Sequence, residues 1–215
     1  MERYLIIAAV SYLLGSIPFG YLLVRIFRGE DVRKSGSGNI GATNVSRKSP
    51  VLGVLTLLLD AGKGAAAVGL AYKIADHGDS GIPTCEQLAL AALFAVTGHL
   101  FPLWLKFCGG KGVATGLGSF VIIAPKAVLL AAAIFLVIVL AFRYVSLASV
   151  IAVASFPSLA LSLHEYGGEW LALAFMGTAS LLIVMKHYSN ILRLIAGAEN
   201  RIGAKRASKD GEQAK

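Results

Sequence analysis

Residues 126–163 read KAVLLAAAIFLVIVLAF, RYV and SLASVIAVASFPSLALSL, and this stretch decides the class of fold. A helix needs about 20 mainly apolar residues to cross the hydrocarbon core of a bilayer. Two blocks that approach this length follow one another here, with the basic residue Arg143 between them. The stretch therefore predicts two consecutive membrane-spanning helices, at 126–142 and 146–163.

The composition of the whole chain agrees with a membrane protein. Its 215 residues are 56% hydrophobic and 15% charged, whereas a soluble domain is about 45–50% apolar and about 25% charged. The net charge of +8 would suggest nucleic acid binding in a soluble protein. Beside long apolar blocks it indicates basic residues that set orientation and attract anionic lipids or substrates. We expect the lipid bilayer as a partner, and no nucleic acid.

Five more apolar blocks lie at 5–27, 51–74, 84–107, 113–124 and 170–187. The block at 113–124 is about half as long as a crossing requires and is followed by Pro125, so six or seven crossings are possible. No soluble domain is left over. We expect one membrane domain at 1–203 and a charged, flexible cytoplasmic tail at 204–215.

The distribution of Lys and Arg decides between six and seven membrane crossings. The loop 28–50 and the polar tail are rich in these residues, whereas the loops 75–83 and 164–169 contain none. Basic loops stay in the cytoplasm, and only seven crossings also place Gly109–Gly112 and Arg143 there. The sequence thus predicts an all-α integral membrane protein with seven transmembrane helices, the N-terminus outside and the C-terminus cytoplasmic.

Residues 35–47, the first loop, read SGSGNIGATNVSR. Glycines let backbone N–H groups approach an anion, and hydroxyl and amide side chains add donors. Arg47 could give a bidentate contact to a phosphate. The plain alternative is a flexible linker, but two asparagines and a threonine interleaved with glycines favour an anion-binding loop.

Residues 109–112, the second loop, read GGKG and open the block at 113–124. A glycine-rich turn at a helix N-terminus is a natural phosphate site, and Lys111 adds a full charge. The spacing of a nucleotide-binding P-loop is absent. The alternative is a helix boundary with a lysine that reaches to the membrane surface, although the nearby His99 and Pro102 favour a functional role.

Residues 187–203, the third segment, begin with His187 and Asn190, whose spacing places them on one helix face. A lone interfacial histidine is usually a solvated helix end. However, the charge topology puts both loops and the third segment on the same side of the membrane. Together they offer cations, amides and hydroxyls with few carboxylates, which is typical of an anion site at a membrane surface.

Asp60 and Lys63 lie one turn apart inside the block at 51–74. Charges at such depth are costly unless they are paired, so we expect a structural ion pair. The alternative is that the two side chains take part in the anion site and form its floor. No spacing typical of zinc ligands and no carboxylate cluster for magnesium is present. We expect no metal and no cofactor, and an enzyme here would act by binding and orienting anions.

These segments resemble the motifs of the bacterial acyl-phosphate:glycerol-3-phosphate acyltransferase family. The first motif is similar to residues 37–47. The second is similar to GHLFP at 98–102 with the second loop, and the third to His187, Asn190 and ENR at 199–201. GSIPFG at 15–20 and LDAGKG at 59–64 also fit, so the match covers nearly the whole chain in order.

The resemblance implies a seven-helix enzyme of the bacterial inner membrane whose site faces the cytoplasm. It implies transfer of a fatty acyl group from acyl phosphate to the 1-hydroxyl of sn-glycerol 3-phosphate, the first step of phospholipid synthesis. The products would be 1-acylglycerol 3-phosphate and inorganic phosphate. Acyl phosphate, rather than acyl-CoA or acyl-carrier protein, would be the donor, and we expect a monomer.

Two anion pockets are expected because both substrates carry phosphate. We assign Lys111 and the second loop to one, and Ser37 and Arg47 with the first loop to the other. Which substrate each takes stays open, although the resemblance ties the second motif to glycerol 3-phosphate. The residues expected to bind phosphate are Ser37, Gly38, Asn39, Gly41, Thr43, Asn44, Arg47, Gly109, Gly110, Lys111 and Gly112.

His187 is the candidate general base. In the competing hypothesis the donor phosphate takes the proton while His187 and Asn190 position the substrates, which we favour because only Glu199 is available to orient His187. A covalent relay through Ser37 is disfavoured because acyl phosphate is already activated. The catalytic candidates are His187, Asn190, Ser37, Lys111 and Arg47, and the further pocket candidates are Ser149, Glu199 and His99.

Two other classes of function share some of these features. A small transporter of anions or organophosphates would have a basic, glycine-rich site and broken helices, but also inverted repeats and a site near the midplane. The sequence shows no clear repeat, and its polar motifs lie at one surface. A purely structural membrane protein would not concentrate so many donors on one side.

Overall fold

The computed structural model describes residues 1–75 and 84–203, and within these ranges it contains helices and no strand. Two 3-10 turns, Val32–Lys34 and Leu103–Leu105, lie between the helices. The α-helices are α1 (Glu2–Gly15), α2 (Phe19–Arg28), α3 (Ala42–Val45), α4 (Pro50–Ile74), α5 (Cys85–Leu100), α6 (Val113–Ile123), α7 (Pro125–Phe142), α8 (Val145–Ser162), α9 (Trp170–Met185) and α10 (Tyr188–Ile195). The predicted tail 204–215 and most of the predicted loop 75–83 lie outside the described residues.

In the described part of the chain, five stretches are long and apolar enough to cross a membrane: Glu2–Arg28, Pro50–Ile74, Cys85–Leu105, Pro125–Phe142 and Val145–Ser162. A sixth is reached if α9 and α10, which meet at a bend of 54°, are taken as one span. α6 has 11 residues and is therefore about 17 Å long, short of the roughly 30 Å of hydrocarbon. The described residues thus confirm an all-helical membrane protein with five or six candidate full-length spans, and the seven crossings stay a prediction.

The first apolar block, predicted as one span at 5–27, lies in the candidate span Glu2–Arg28, and its helix is broken in the middle. α1 ends at Gly15 and α2 begins only at Phe19. Pro18 causes the break because it lacks an N–H group and disfavours helical geometry in the residue before it. The Ile17 carbonyl, which lies in the break, accepts a hydrogen bond from Lys63 Nζ at 2.7 Å, so a lysine of α4 stabilises the interruption.

Small residues let α4 and α6 pack closely. A Cβ atom added at Gly64 would overlap the Thr115 carbonyl, and one added at Gly118 would overlap the Ala61 carbonyl. Close approach at small residues is the usual way in which helices associate inside a bilayer. The short helix α6 is thereby held against the centre of the bundle.

Two apolar clusters position the polar segments. The larger cluster joins the bundle helices and includes Ile7, Val68, Phe120, Phe156 and Met176. A smaller one packs beneath the first loop and consists of Val24, Val32, Ile40, Val45, Leu52 and Leu105. The first loop is therefore anchored by its own apolar side chains.

Candidate active site

Asn44 organises the first loop from within. Its side chain is buried, and its Nδ2 donates hydrogen bonds to the carbonyls of Ser35 at 3.1 Å and Asn39 at 2.8 Å. Its Oδ1 accepts from the N–H of Ser37 at 2.9 Å. Gly36 has a φ of +61°, and a Cβ there would overlap Asn44 Oδ1, so this turn requires glycine.

Several N–H groups of the first loop are hydrogen-bonded inside the loop. The N–H of Gly38 donates to the Ser35 carbonyl at 3.0 Å, and that of Gly41 donates to Asn39 Oδ1 at 2.8 Å. The loop is thus a rigid platform whose contacts to a ligand would come chiefly from side chains. Thr43 and Arg47 are exposed on it.

The second loop packs tightly on the end of α5. The N–H of Gly109 donates to the Leu100 carbonyl at 3.2 Å, and that of Gly110 donates to the His99 carbonyl at 3.0 Å. A Cβ at Gly110 would overlap Nε2 of His99. The prediction that the N–H groups of Gly109 and Gly110 face an anion is therefore wrong: both bond backbone carbonyls, and the glycines permit close packing.

Lys111 links the second loop to the third segment. Its Nζ donates a hydrogen bond to Asn190 Oδ1 at 2.6 Å. Burial lowers the pKa of Lys111 to about 8, with the positive charges of Arg193 and Arg47 acting in the same direction against Glu199. An ammonium group held with so little water gains strongly from a bound anion.

Glu199 fixes the other side of Asn190. Its Oε1 accepts from Asn190 Nδ2 at 2.7 Å and from Ser146 Oγ at 2.9 Å, and its Oε2 accepts from Arg193 Nε at 2.7 Å. Burial acts to raise the pKa of Glu199, but the hydrogen bonds from Asn190, Arg193 and Ser146 outweigh it and hold the pKa below its usual range. The charged carboxylate thereby points the Asn190 oxygen at Lys111.

The third segment folds back on the junction between α7 and α8. The N–H of Ile202 donates to the Arg143 carbonyl at 2.9 Å, and Arg201 Nε donates to the Phe142 carbonyl at 3.3 Å. The Arg201 guanidinium also lies 5.3 Å from the centre of the Tyr144 ring. These contacts bring Glu199 to Ser146 at the start of α8.

The ring of His187 is buried and is oriented by its own backbone. Its Nδ1 lies 2.8 Å from the Ile183 carbonyl. Because a carbonyl only accepts, Nδ1 carries the proton in the neutral ring and Nε2 keeps its lone pair. Glu199, considered from sequence as the orienting carboxylate, instead binds Asn190, Ser146 and Arg193.

A cavity of about 130 Å³ lies where the two loops and the third segment meet. Three of its lining side chains are basic, and, among the residues that the structure describes, none that lines it is acidic. The lining residues are Ser37, Gly38, Asn39, Lys111, Lys186, Ser189, Asn190 and Arg193. The cavity is thus a polar, positively charged site of the size that a phosphate group requires.

Five of the residues that the sequence selected line the cavity, whereas His187 and Arg47 do not: the five are Ser37, Gly38, Asn39, Lys111 and Asn190. Ser149 does not line the cavity, and its Oγ donates to the Val145 carbonyl inside α8 at 2.8 Å. Lys186 and Ser189 were missed although they flank His187 in the sequence. Lys186 Nζ lies 4.1 Å from the centre of the Phe101 ring, a contact between distant segments that no local pattern reveals.

The predicted pair in α4 is present and buried. Lys63 Nζ lies 2.8 Å from Asp60 Oδ1. The structure adds a third member, His99, whose Nδ1 lies 3.6 Å from the same oxygen. His99 therefore lies behind the second loop, beneath the cavity wall.

The fold and the cavity together define a polytopic membrane protein whose cavity is lined by lysine, arginine and amide side chains, a set suited to an anionic group. A family model described as glycerol-3-phosphate acyltransferase matches residues 5–197. The chain therefore belongs to the glycerol-3-phosphate acyltransferase family, and it is an integral membrane acyltransferase.

Curated relatives cover almost the whole chain. The glycerol-3-phosphate acyltransferase of Syntrophotalea carbinolica is 45% identical over 205 residues, which is 95% of this chain and all of that protein. That of Mesorhizobium japonicum is 47% identical over 94% of this chain and 97% of its own length.

Two crystal structures of PlsY, an integral membrane glycerol 3-phosphate acyltransferase, share the fold. The glycerol 3-phosphate form is 38% identical with a TM-score of 0.83, and it covers 93% of this chain and 96% of its own. The lysophosphatidic acid form is 36% identical with a TM-score of 0.79 and covers 93% and 95%.

Proposed function

We propose that the enzyme transfers a fatty acyl group from acyl phosphate to the 1-hydroxyl of sn-glycerol 3-phosphate. The products are 1-acylglycerol 3-phosphate and inorganic phosphate. The observation that carries the proposal is the cavity with three basic side chains and no acidic lining residue among those described. Solved relatives in glycerol 3-phosphate and lysophosphatidic acid forms support the acceptor and the product.

The two phosphate groups are assigned to opposite walls. Lys111 and Arg193 belong to one hydrogen-bonded network through Asn190 and Glu199, and we assign the phosphate of glycerol 3-phosphate to it. The donor phosphate is assigned to the first loop, where Ser37 and Arg47 lie, together with Lys186.

The reaction joins the acceptor oxygen to the acyl carbon and breaks the bond from that carbon to the phosphate oxygen. The hydroxyl proton goes to the leaving phosphate, and the backbone-bound ring of His187 positions the substrates. A charged imidazolium would lack the carboxylate partner that usually stabilises it. Alignment contributes at most about 7–11 kcal/mol, and each donor aimed at developing charge about 3–4 kcal/mol.

Several features support a cytoplasmic site with seven crossings in the inner membrane. The basic residues of the loop 28–50 would be retained in the cytoplasm, and α6 would complete the seventh crossing as a thin segment packed on α4. We further propose that residues 1–203 act as one domain in a monomer and that no cofactor or metal ion takes part.

The deciding experiment supplies purified protein in lipid with glycerol 3-phosphate and either palmitoyl phosphate or palmitoyl-CoA. Phosphate release and lysophosphatidate formation are followed. Turnover with palmitoyl phosphate alone is the expected result. Turnover with palmitoyl-CoA alone would overturn the proposed donor, and a product acylated at the 2-hydroxyl would overturn the proposed acceptor position.

A further inference from the structure

Three ionisable side chains from two helices meet behind the second loop. Asp60 and Lys63 come from α4, and His99 comes from the end of α5. Their exposed fractions are 2%, 5% and 4%. Asp60 Oδ1 is the shared centre, at 2.8 Å from Lys63 Nζ and 3.6 Å from His99 Nδ1. Charges at this depth persist only when they are paired.

The cluster is joined to the break in the first span. Lys63 Nζ donates a hydrogen bond of 2.7 Å to the carbonyl of Ile17, between α1 and α2. The ammonium group therefore contacts both Asp60 and the interrupted backbone. α1, α4 and α5 are held in one arrangement through this contact and the approach of His99.

On its other side the cluster supports the second loop. The His99 carbonyl accepts the N–H of Gly110 at 3.0 Å, and the ring lies so close to Gly110 that a Cβ there would overlap Nε2. The position of the His99 ring therefore fixes the backbone of Gly110, the residue that precedes Lys111.

Two polar atoms of this cluster have incomplete hydrogen bonding. Asp60 Oδ1 and His99 Nδ1 are among the buried atoms, in the described part of the chain, that make no hydrogen bond. Asp60 Oδ1 pairs with Lys63 Nζ at 2.8 Å, whereas His99 Nδ1 comes no closer to this oxygen than 3.6 Å. Buried ionic groups are often no more stabilising than apolar residues of similar volume, so their presence points to a role other than stability.

We propose that Asp60, Lys63 and His99 are positioning residues that hold the second loop, and through it Lys111, in the geometry that binds the phosphate of glycerol 3-phosphate. None of the three touches the substrate. This inference rests on the proposed function, because it assigns the cluster to the acceptor side of that reaction.

The test is a double-mutant cycle between the cluster and Lys111. His99→Ala and Asp60→Asn should each raise the KM for glycerol 3-phosphate about tenfold or more and leave the KM for palmitoyl phosphate unchanged within about twofold. In a Lys111→Ala background the same substitutions should have little further effect, because effects that act through one residue are not additive. His99→Asn should restore part of the loss, since its amide can occupy the position of Nδ1 and keep the contact with Asp60.

Gln87 offers a matched control. It lies at the opposite end of α5, is 3% exposed and also has a buried oxygen without a hydrogen bond among the described residues. Gln87→Leu should leave both KM values unchanged. If it raises the KM for glycerol 3-phosphate as His99→Ala does, the effect is general loosening of the bundle and the proposal fails.

Other outcomes also decide the question. If the fold-changes in KM caused by His99→Ala and Lys111→Ala multiply in the double variant, His99 does not act through Lys111. That result would overturn the proposal. If His99→Ala does not fold, the double-mutant cycle with Lys111→Ala is measured with Asp60→Asn and His99→Asn instead. If the wild-type protein turns over no acyl donor, the proposed function fails, and titration of glycerol 3-phosphate by calorimetry on the same variants still confirms or overturns the positioning role.

Discussion

Lys111 Nζ and Asn190 Oδ1 are 2.6 Å apart although 79 positions separate the two residues in the chain. The amide nitrogen of Asn190 donates a hydrogen bond to Glu199. The amide oxygen of Asn190, and not the nitrogen, therefore faces Lys111. This contact joins the second loop to α10 and sets one wall of the cavity.

Asn190→Asp should lower kcat/KM for glycerol 3-phosphate roughly 100-fold, in the range seen for loss of one aligned donor or acceptor in an active site. The new carboxylate would face the Glu199 oxygen that the amide now bonds at 2.7 Å, and it would offset the charge of Lys111. Steady-state kinetics of the purified variant measure the effect. Asn200→Asp, at an exposed neighbouring position, is the control and should behave like wild type.

The pH dependence of acceptor binding should follow Lys111. Its pKa is lowered to about 8 in the free protein, and a lysine is charged only below its pKa. The kcat/KM for glycerol 3-phosphate should therefore be highest below pH 8 and fall as the pH rises through this value. Bound phosphate favours the charged form, so kcat should fall only at higher pH.

Lys111→Arg tests the assignment, because a guanidinium stays charged above pH 12. Its kcat/KM should be lower, since the side chain has a different shape, but the decrease near pH 8 should disappear. A decrease that stays at the same pH in this variant would show that another group is responsible.

His187→Asn should retain activity within about tenfold of wild type if the donor phosphate takes the proton. The asparagine amide can replace the hydrogen bond from Nδ1 to the Ile183 carbonyl, which is 2.8 Å long in the native protein. Loss of a general base would instead cost about 10²–10⁴-fold. A loss in kcat of that size, together with disappearance of the acidic limb of the pH profile, would assign the proton to His187.

Gly110→Ala should raise the KM for glycerol 3-phosphate more than tenfold, because the added methyl group would overlap the His99 ring and move the loop that carries Lys111. Gly62→Ala is the matched control: it lies in α4, and a Cβ there meets nothing within 4 Å. The control should keep full activity and gain about 0.5–1 kcal/mol in the free energy of unfolding from its higher helix propensity. Equal KM values for both variants would contradict the packing argument.

The positions of the long apolar helices in the second half of the chain were predictable from the sequence. The blocks expected at 126–142 and 146–163 correspond to Pro125–Phe142 and Val145–Ser162. They were predictable because the length of an apolar block can be read from consecutive residues and compared directly with the thickness of the bilayer. The three polar segments also line one cavity, as their shared side of the membrane predicted. Their glycine, amide and basic residues stand out against an apolar background.

The sequence by itself determined the all-helical membrane class, the family and the polar segments from which the cavity is formed. Only the tertiary structure decided how each group is used: the Gly110 N–H bonds a backbone carbonyl, Glu199 holds Asn190 instead of His187, and Lys186 enters the cavity beside Phe101. The polarity of each residue can be read directly from the sequence. Hydrogen-bond partners depend on which distant segments the packing of the helices brings within about 3 Å.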